Sequence, residues 1–283
     1  VRRLVVVAAL AIATTALACE IVGGIETFSY VEADAGEPDA ADPDAGVVAA
    51  ANGCPSGRGP VMVRVGGTCI DATEVTQAQY AEFLRAGYTE AQPLSCAWNK
   101  SYVPGEGPPV KPSFCESGGD APRGCVDWCD AFMFCAWSGK RLCGSPSGAT
   151  ADFARPTDSA SSQWYAACSS NGTRAYPYGA TYDPKACNGV GQGRGFLTPA
   201  GAIATCEGGT PGVFDMSGNV WEWEDACTKA DGGVGGAAAE PCRFRGGSVT
   251  DDAAQLRCDS LGAQPRDFQQ YNVGFRCCAA ARR

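Results

Sequence analysis

The chain has 283 residues, enough for one or two domains with a real core even if long tails are present. Its net charge of −9 argues against a nucleic-acid partner or an anionic membrane surface. Histidine is absent, which excludes Ser-His-Asp and Cys-His catalysis, three-histidine metal sites and histidine-ligated haem. Seventeen cysteines in such a chain point to an oxidising compartment and a disulfide framework.

Residues 1–18 have the layout of an export signal: Arg2 and Arg3, an apolar run from Leu4 to Leu17, and small residues at Ala16 and Ala18. The apolar run is too short for a membrane span. Val1 fits a bacterial gene read from a non-ATG codon. Ala16-Leu17-Ala18-Cys19 resembles the lipobox of bacterial lipoproteins, with Ala16 where leucine is usual. Lipid on Cys19 leaves an even 16 cysteines to pair; the alternative is ordinary secretion with a stray thiol. Residues 19–52 carry eight acidic residues and no Lys or Arg, and the Ala/Asp/Pro/Gly composition predicts a disordered tether. Without residues 1–52 the chain holds 20 basic and 23 acidic residues, a net −3, so most of the acidity belongs to the tether.

The folded domain is expected over 53–283. Val61–Val65 reads as a strand, and Cys69-Ile70 continues the sheet after a Gly66-Gly67 turn. Thr76 with Gln79 fits a capping box, Tyr80, Phe83 and Leu84 share a helical face, and Gly87 ends the helix. Asp127 is a second N-cap, for a buried helix from Trp128 to Trp137 that Gly139 stops. A third short helix is expected over Gln163–Cys168, followed by loops and short strands. The fold class is α+β with much irregular backbone, held by cross-links.

Six ordered segments together resemble the formylglycine-generating enzyme family, also called sulfatase-modifying factor domains. They are Thr73–Tyr80 (TEVTQAQY), Val126–Leu142 (beginning VDWCDA and ending AWSGKRL), Tyr176–Gly179 (YPYG), Asp215–Trp223 (DMSGNVWEW), Arg245–Ser248 (RGGS) and Gly274–Cys277 (GFRC). The resemblance covers roughly residues 58–278 and implies a C-type-lectin-like α+β fold. One local departure follows Leu142, where a Gly/Ser-rich insert delays the next tryptophan to Trp164.

The family enzyme oxidises a substrate cysteine to formylglycine with copper held by two cysteines, chemistry that needs soft thiolates. The first thiol stands three residues after the serine of RGGS, which here is Asp251, and no cysteine occurs from Val249 to Leu256. Hard carboxylates cannot replace that pair, so copper and ordinary formylglycine generation are not expected. No catalytic residue is assigned. Trp221, Ser248 and Asp251 are the groove candidates that the resemblance implies, although core packing serves Trp221 equally well. Tyr176, Tyr178 and Tyr271, if exposed, would add an aromatic surface.

The resemblance also implies a structural calcium site, with side chains from Asp215 and Glu222 and backbone carbonyls from Gly218 and Val220. Simple solvation of the two acids is the alternative. A second family site would use Asn188, but no matching later aspartate follows. For disulfides the resemblance implies Cys135–Cys277 and Cys168–Cys258, both closing long loops and contributing ~2–4 kcal/mol each. Short-range pairs are expected at Cys54–Cys69, Cys187–Cys206 and Cys227–Cys242. Cys96, Cys115, Cys125, Cys129, Cys143 and Cys278 stay unassigned. Cys125 and Cys129 have helical spacing for a metal, though an exported chain favours bridges. Adjacent Cys277 and Cys278 should face opposite sides of a strand.

The leading expectation is an exported, lipid-anchored protein of a bacterial cell envelope, held to the membrane through Cys19. Its domain is a calcium-stabilised binding or scaffold module for a peptide or small ligand. The alternative is an oxidoreductase of the formylglycine-generating type with an altered site, an analogy of fold more than of site. A third reading is a purely structural, protease-resistant surface domain.

Overall fold

Two helices with strong local start signals organise the core. In the computed structural model, which describes residues 52–105, 115–228 and 238–282, α1 spans Gln77–Ala86. Thr76 caps it, with the Thr76 and Gln79 side chains satisfying each other's backbone N–H groups, and Gly87 closes it in the left-handed conformation. The second helix, α2, spans Trp128–Trp137 behind Asp127, which forms the same reciprocal cap with Asp130. Eight of its ten residues are buried, as an all-round apolar helix requires. Helix α3 runs Gln163–Ser169 with Ser162 as its cap. The export segment, Cys19 and the tether up to residue 51 lie outside the described residues. Among the described residues no helix is long and apolar enough to cross a membrane.

Strands β1 (Met62–Val65) and β2 (Thr68–Asp71) form a hairpin over Gly66-Gly67. They join β10 (Cys277–Ala280) and β3 (Arg141–Leu142) in an antiparallel sheet of order β1-β2-β10-β3. Strands β4 (Glu207–Gly208) and β5 (Thr210–Phe214) pair by themselves. A second four-stranded sheet has the order β8-β7-β6-β9, from Gly262–Pro265, Pro241–Arg245, Trp221–Cys227 and Val273–Phe275. Strand β9 runs parallel to β6, and the other pairs are antiparallel. Arg276 alone separates β9 from β10, so the chain changes sheet at that residue.

The main core lies between α1, α2 and the second sheet, while α3 packs with the first sheet in a smaller cluster. The Phe134 ring touches those of Tyr80, Phe83, Trp137 and Phe275 at centroid distances of 5.6, 5.8, 5.5 and 5.3 Å. Truncating so enclosed a ring to alanine typically costs about 3–5 kcal/mol. Alternation along β6 sends Trp221 and Trp223 to this core and Glu222 and Glu224 to the opposite face.

Eight disulfides bind the described part of the chain. Cys135–Cys277 and Cys168–Cys258 span 142 and 90 residues. Cys54–Cys69, Cys187–Cys206 and Cys227–Cys242 span 15, 19 and 15. The cysteines that the sequence left unassigned pair as Cys96–Cys129, Cys115–Cys125 and Cys143–Cys278. Adjacent Cys277 and Cys278 have different partners, Cys135 on α2 and Cys143 just after β3. Cys125 and Cys129 are bridged rather than paired at a metal.

Candidate functional site

The turn from Asp215 to Val220 enters β6 and brings buried acids to one place. Asp215 and Asn219 adopt left-handed backbone at φ of 59° and 63°. Gly218 shares that conformation, and a Cβ there would stand 2.5 Å from the Asn188 carbonyl oxygen, so only glycine fits.

Behind this turn, Arg276 grips Glu222 with two parallel hydrogen bonds of 2.7 Å, from Nε to Oε2 and from Nη2 to Oε1. Trp164 Nε1 donates to the same Oε2 at 2.7 Å. The remaining Arg276 donors reach the carbonyls of Asp71 at 3.0 Å and Phe214 at 2.8 Å. This guanidinium therefore joins β2, β5 and β6 at the point where the chain changes sheet. Burial pulls Arg276 toward lower pKa, but Glu222, Glu74 and Asp215 outweigh it and hold the group above its ordinary value.

Glu74 is fully buried, and only its Oε2 has a partner, the Asn219 amide at 3.2 Å. Burial pushes its pKa well up, with the Asp215 and Glu222 charges adding to the shift. Asp215 rises to about 6, chiefly through burial, against the Gly201 N–H bond and Arg276. Asn188 lies beside this group and donates to Asn219 Oδ1 at 2.9 Å.

These donors fit calcium only in part. Asp215 and the Gly218 and Val220 carbonyls are oxygen ligands of the right kind. Both Glu222 oxygens are already engaged by Arg276 and Trp164, so an ion there would have to share the carboxylate with them. Among the described residues no three His, Cys, Asp or Glu side chains converge in a metal-binding arrangement.

Of the groove candidates, Ser248 and Asp251 stand after β7 and Trp221 opens β6. Ser248 is fully buried, so its hydroxyl does not face an external substrate. The partly exposed Asp251 accepts from the Ser248 N–H at 2.9 Å and hydroxyl at 2.6 Å. Asn272 donates to Ser248 Oγ at 2.8 Å and to Thr250 Oγ1 at 3.2 Å. Asp251 thus acts as a local brace for its own turn. Leu256, five residues on, is buried and apolar. Trp221 is half-buried with its ring 4.8 Å from that of Phe244. Tyr176 does not supply an exposed surface: it is buried, stacked on Tyr178 at 5.5 Å, and donates to the Ala253 carbonyl. Tyr178 and Tyr271 are half-buried.

Sequence reasoning placed Glu74 and Arg276 inside motifs without giving either a role, named Trp164 only as the tryptophan after the insert, and passed over Asn272. A signal was available for Arg276. A cation fixed between two buried strands needs an acidic partner, and β6 offers acids at alternate positions.

The arrangement defines a disulfide-rich α+β protein of C-type-lectin-like, formylglycine-generating-enzyme fold. Residues 44–281 match the model of the sulfatase-modifying factor enzyme 1-like domain, and the chain belongs to that family. It is 28% identical over 201 residues to the Inactive C-alpha-formylglycine-generating enzyme 2 of Bos taurus, covering 66% of this chain and 57% of that protein. It is 27% identical over 176 residues to the Formylglycine-generating enzyme of Mus musculus, covering 54% and 43%. The chain thus spans about half the length of the curated relatives it matches. Among solved structures, PvdO from Pseudomonas aeruginosa shares the fold at a TM-score of 0.50 and 22% identity, covering 75% of this chain and 80% of its own.

Proposed function

We propose that this protein is a binding or scaffold module of the sulfatase-modifying factor family, without cysteine-oxidising activity, exported and lipid-anchored at Cys19. One observation carries the reading: all 16 cysteines among the described residues are in disulfides. Thiolate-bound copper needs two free thiols, and the loop where the family keeps them holds Asp251 and Leu256. Similarity to relatives described as inactive supports the same reading. The occupant, a peptide or a small ligand, would meet the half-buried Trp221 and Asp251, with Ser248 buried behind them as a support for Asp251. Calcium at the Asp215 turn belongs to the proposal too, supported by Asp215 and two backbone carbonyls, and it requires Glu222 to share its carboxylate with Arg276.

The test is incubation of the purified protein with a cysteine-containing peptide, copper(I) and oxygen, read by peptide mass. No conversion of cysteine to formylglycine is expected. Conversion above a protein-free control sinks the proposal in favour of an oxidoreductase with displaced ligands. Intact mass of protein from its native envelope checks the anchor: an acylated mature chain beginning at Cys19 is expected, and an unmodified one refutes lipidation.

A further inference from the structure

Fifteen of the sixteen bridged cysteines are buried; Cys227 alone is partly exposed. It ends β6 and lines a cavity of about 560 Å³ together with Trp128, Phe132, Arg141, Asp225 and Arg266. Its partner Cys242 lies directly opposite on β7 and is fully buried in the main core. Thiol–disulfide exchange needs a thiolate to reach a sulfur, so access decides which bridge reacts. The other seven bridges present no exposed cysteine. We propose that Cys227–Cys242 is a thiol–disulfide exchange site, entered through this cavity by a small thiol of amino-acid or short-peptide size.

The cavity volume falls in the range of small-molecule sites. Its wall carries Arg141 and Asp225 together with Arg266, which is paired with Glu240 at 2.8 Å, so opposite charges balance and suit a zwitterionic thiol such as an amino acid. The incoming thiolate bonds to Cys227 Sγ and breaks the bridge, and the Cys242 thiolate leaves and takes a proton from solvent. A second thiolate then attacks the external sulfur of the mixed disulfide, releasing Cys227 as a thiol. Two small thiols are oxidised to one small disulfide as the protein bridge gains their two electrons. Seven residues of β6 put this sulfur roughly 20 Å along the strand from Trp221. The site is therefore separate from the Ser248–Asp251 turn.

The experiment treats the oxidised full chain with increasing free cysteine at pH 8, quenches with N-ethylmaleimide and maps the peptides. The expected first product carries a cysteinyl adduct on Cys227 and maleimide on Cys242, with seven bridges intact. Another bridge opening first, all eight opening together, or none opening overturns the proposal. Single variants provide a second reading. In folded Cys242→Ser protein the lone Cys227 should react with Ellman's reagent at least tenfold faster than the lone Cys242 of Cys227→Ser. Equal rates, or a faster Cys242, also overturn it.

Discussion

Replacing Arg276 with methionine tests the central polar contact of the fold. Arg276 and Glu222 are 0% and 1% exposed at their side chains and share a two-bond fork. Breaking a buried pair from one side commonly costs about 3–5 kcal/mol, because the surviving charge is left without a partner. Two carbonyls, of Asp71 and Phe214, also lose their donor, and a buried unsatisfied group costs about 1–3 kcal/mol. Relaxation absorbs part of this, so a loss of about 4–6 kcal/mol at pH 7 is expected. The loss should shrink as pH falls toward 5. Arg276 holds down the already raised pKa values of Glu74 and Asp215, and without it both rise further. Groups with raised folded-state pKa contribute stability below that pKa and lose it as pH rises through it. Urea unfolding followed by tryptophan fluorescence, with disulfides intact, measures the change. The double variant Glu222→Gln/Arg276→Met should recover part of the loss, since no orphan charge remains. A loss below about 1 kcal/mol at pH 7, or one that does not change with pH, would falsify the account of this fork.

Further outcomes follow from other sites. Asp225 is raised to about 6, mainly by burial, against the Thr150 hydrogen bond and Arg141. Its ionisation should therefore cost the fold about 2–3 kcal/mol above pH 6. Asp225→Asn should gain that much at pH 7.5 and lose the advantage as pH falls below 4; a pH-independent difference in urea unfolding contradicts this. Calcium added to chelator-stripped protein should raise the melting temperature, with about 2.7 kcal/mol of stabilisation at a hundredfold excess over Kd. An unchanged melting curve at millimolar calcium removes the ion from the Asp215 turn. Thr76→Ala should cost about 1 kcal/mol through loss of its bond to the Gln79 N–H, and a neutral result in urea unfolding argues against that cap.

The helices were legible because their signals are local. Thr76 and Gln79, or Asp127 and Asp130, are three residues apart and meet as soon as a turn forms. The absent thiol pair was equally plain, since it depends only on which residues follow Arg245–Ser248. The role of Glu222 was not. Strand alternation predicts that it faces away from Trp221, but not that an arginine 54 residues later will be there to meet it.

Composition, caps and ordered motifs determined that this is a cross-linked α+β domain without the family's usual copper ligands, because each of these is a property of neighbouring residues. Tertiary structure decided what stands beside each buried charge. It brought Arg276 to Glu222, left Glu74 Oε1 without a partner, and set Cys227 on a cavity wall while fifteen other bridged cysteines were buried. Such pairings depend on how two sheets and two helices meet in space, and the energy of a buried charge depends on that environment rather than on the residue's place in the chain.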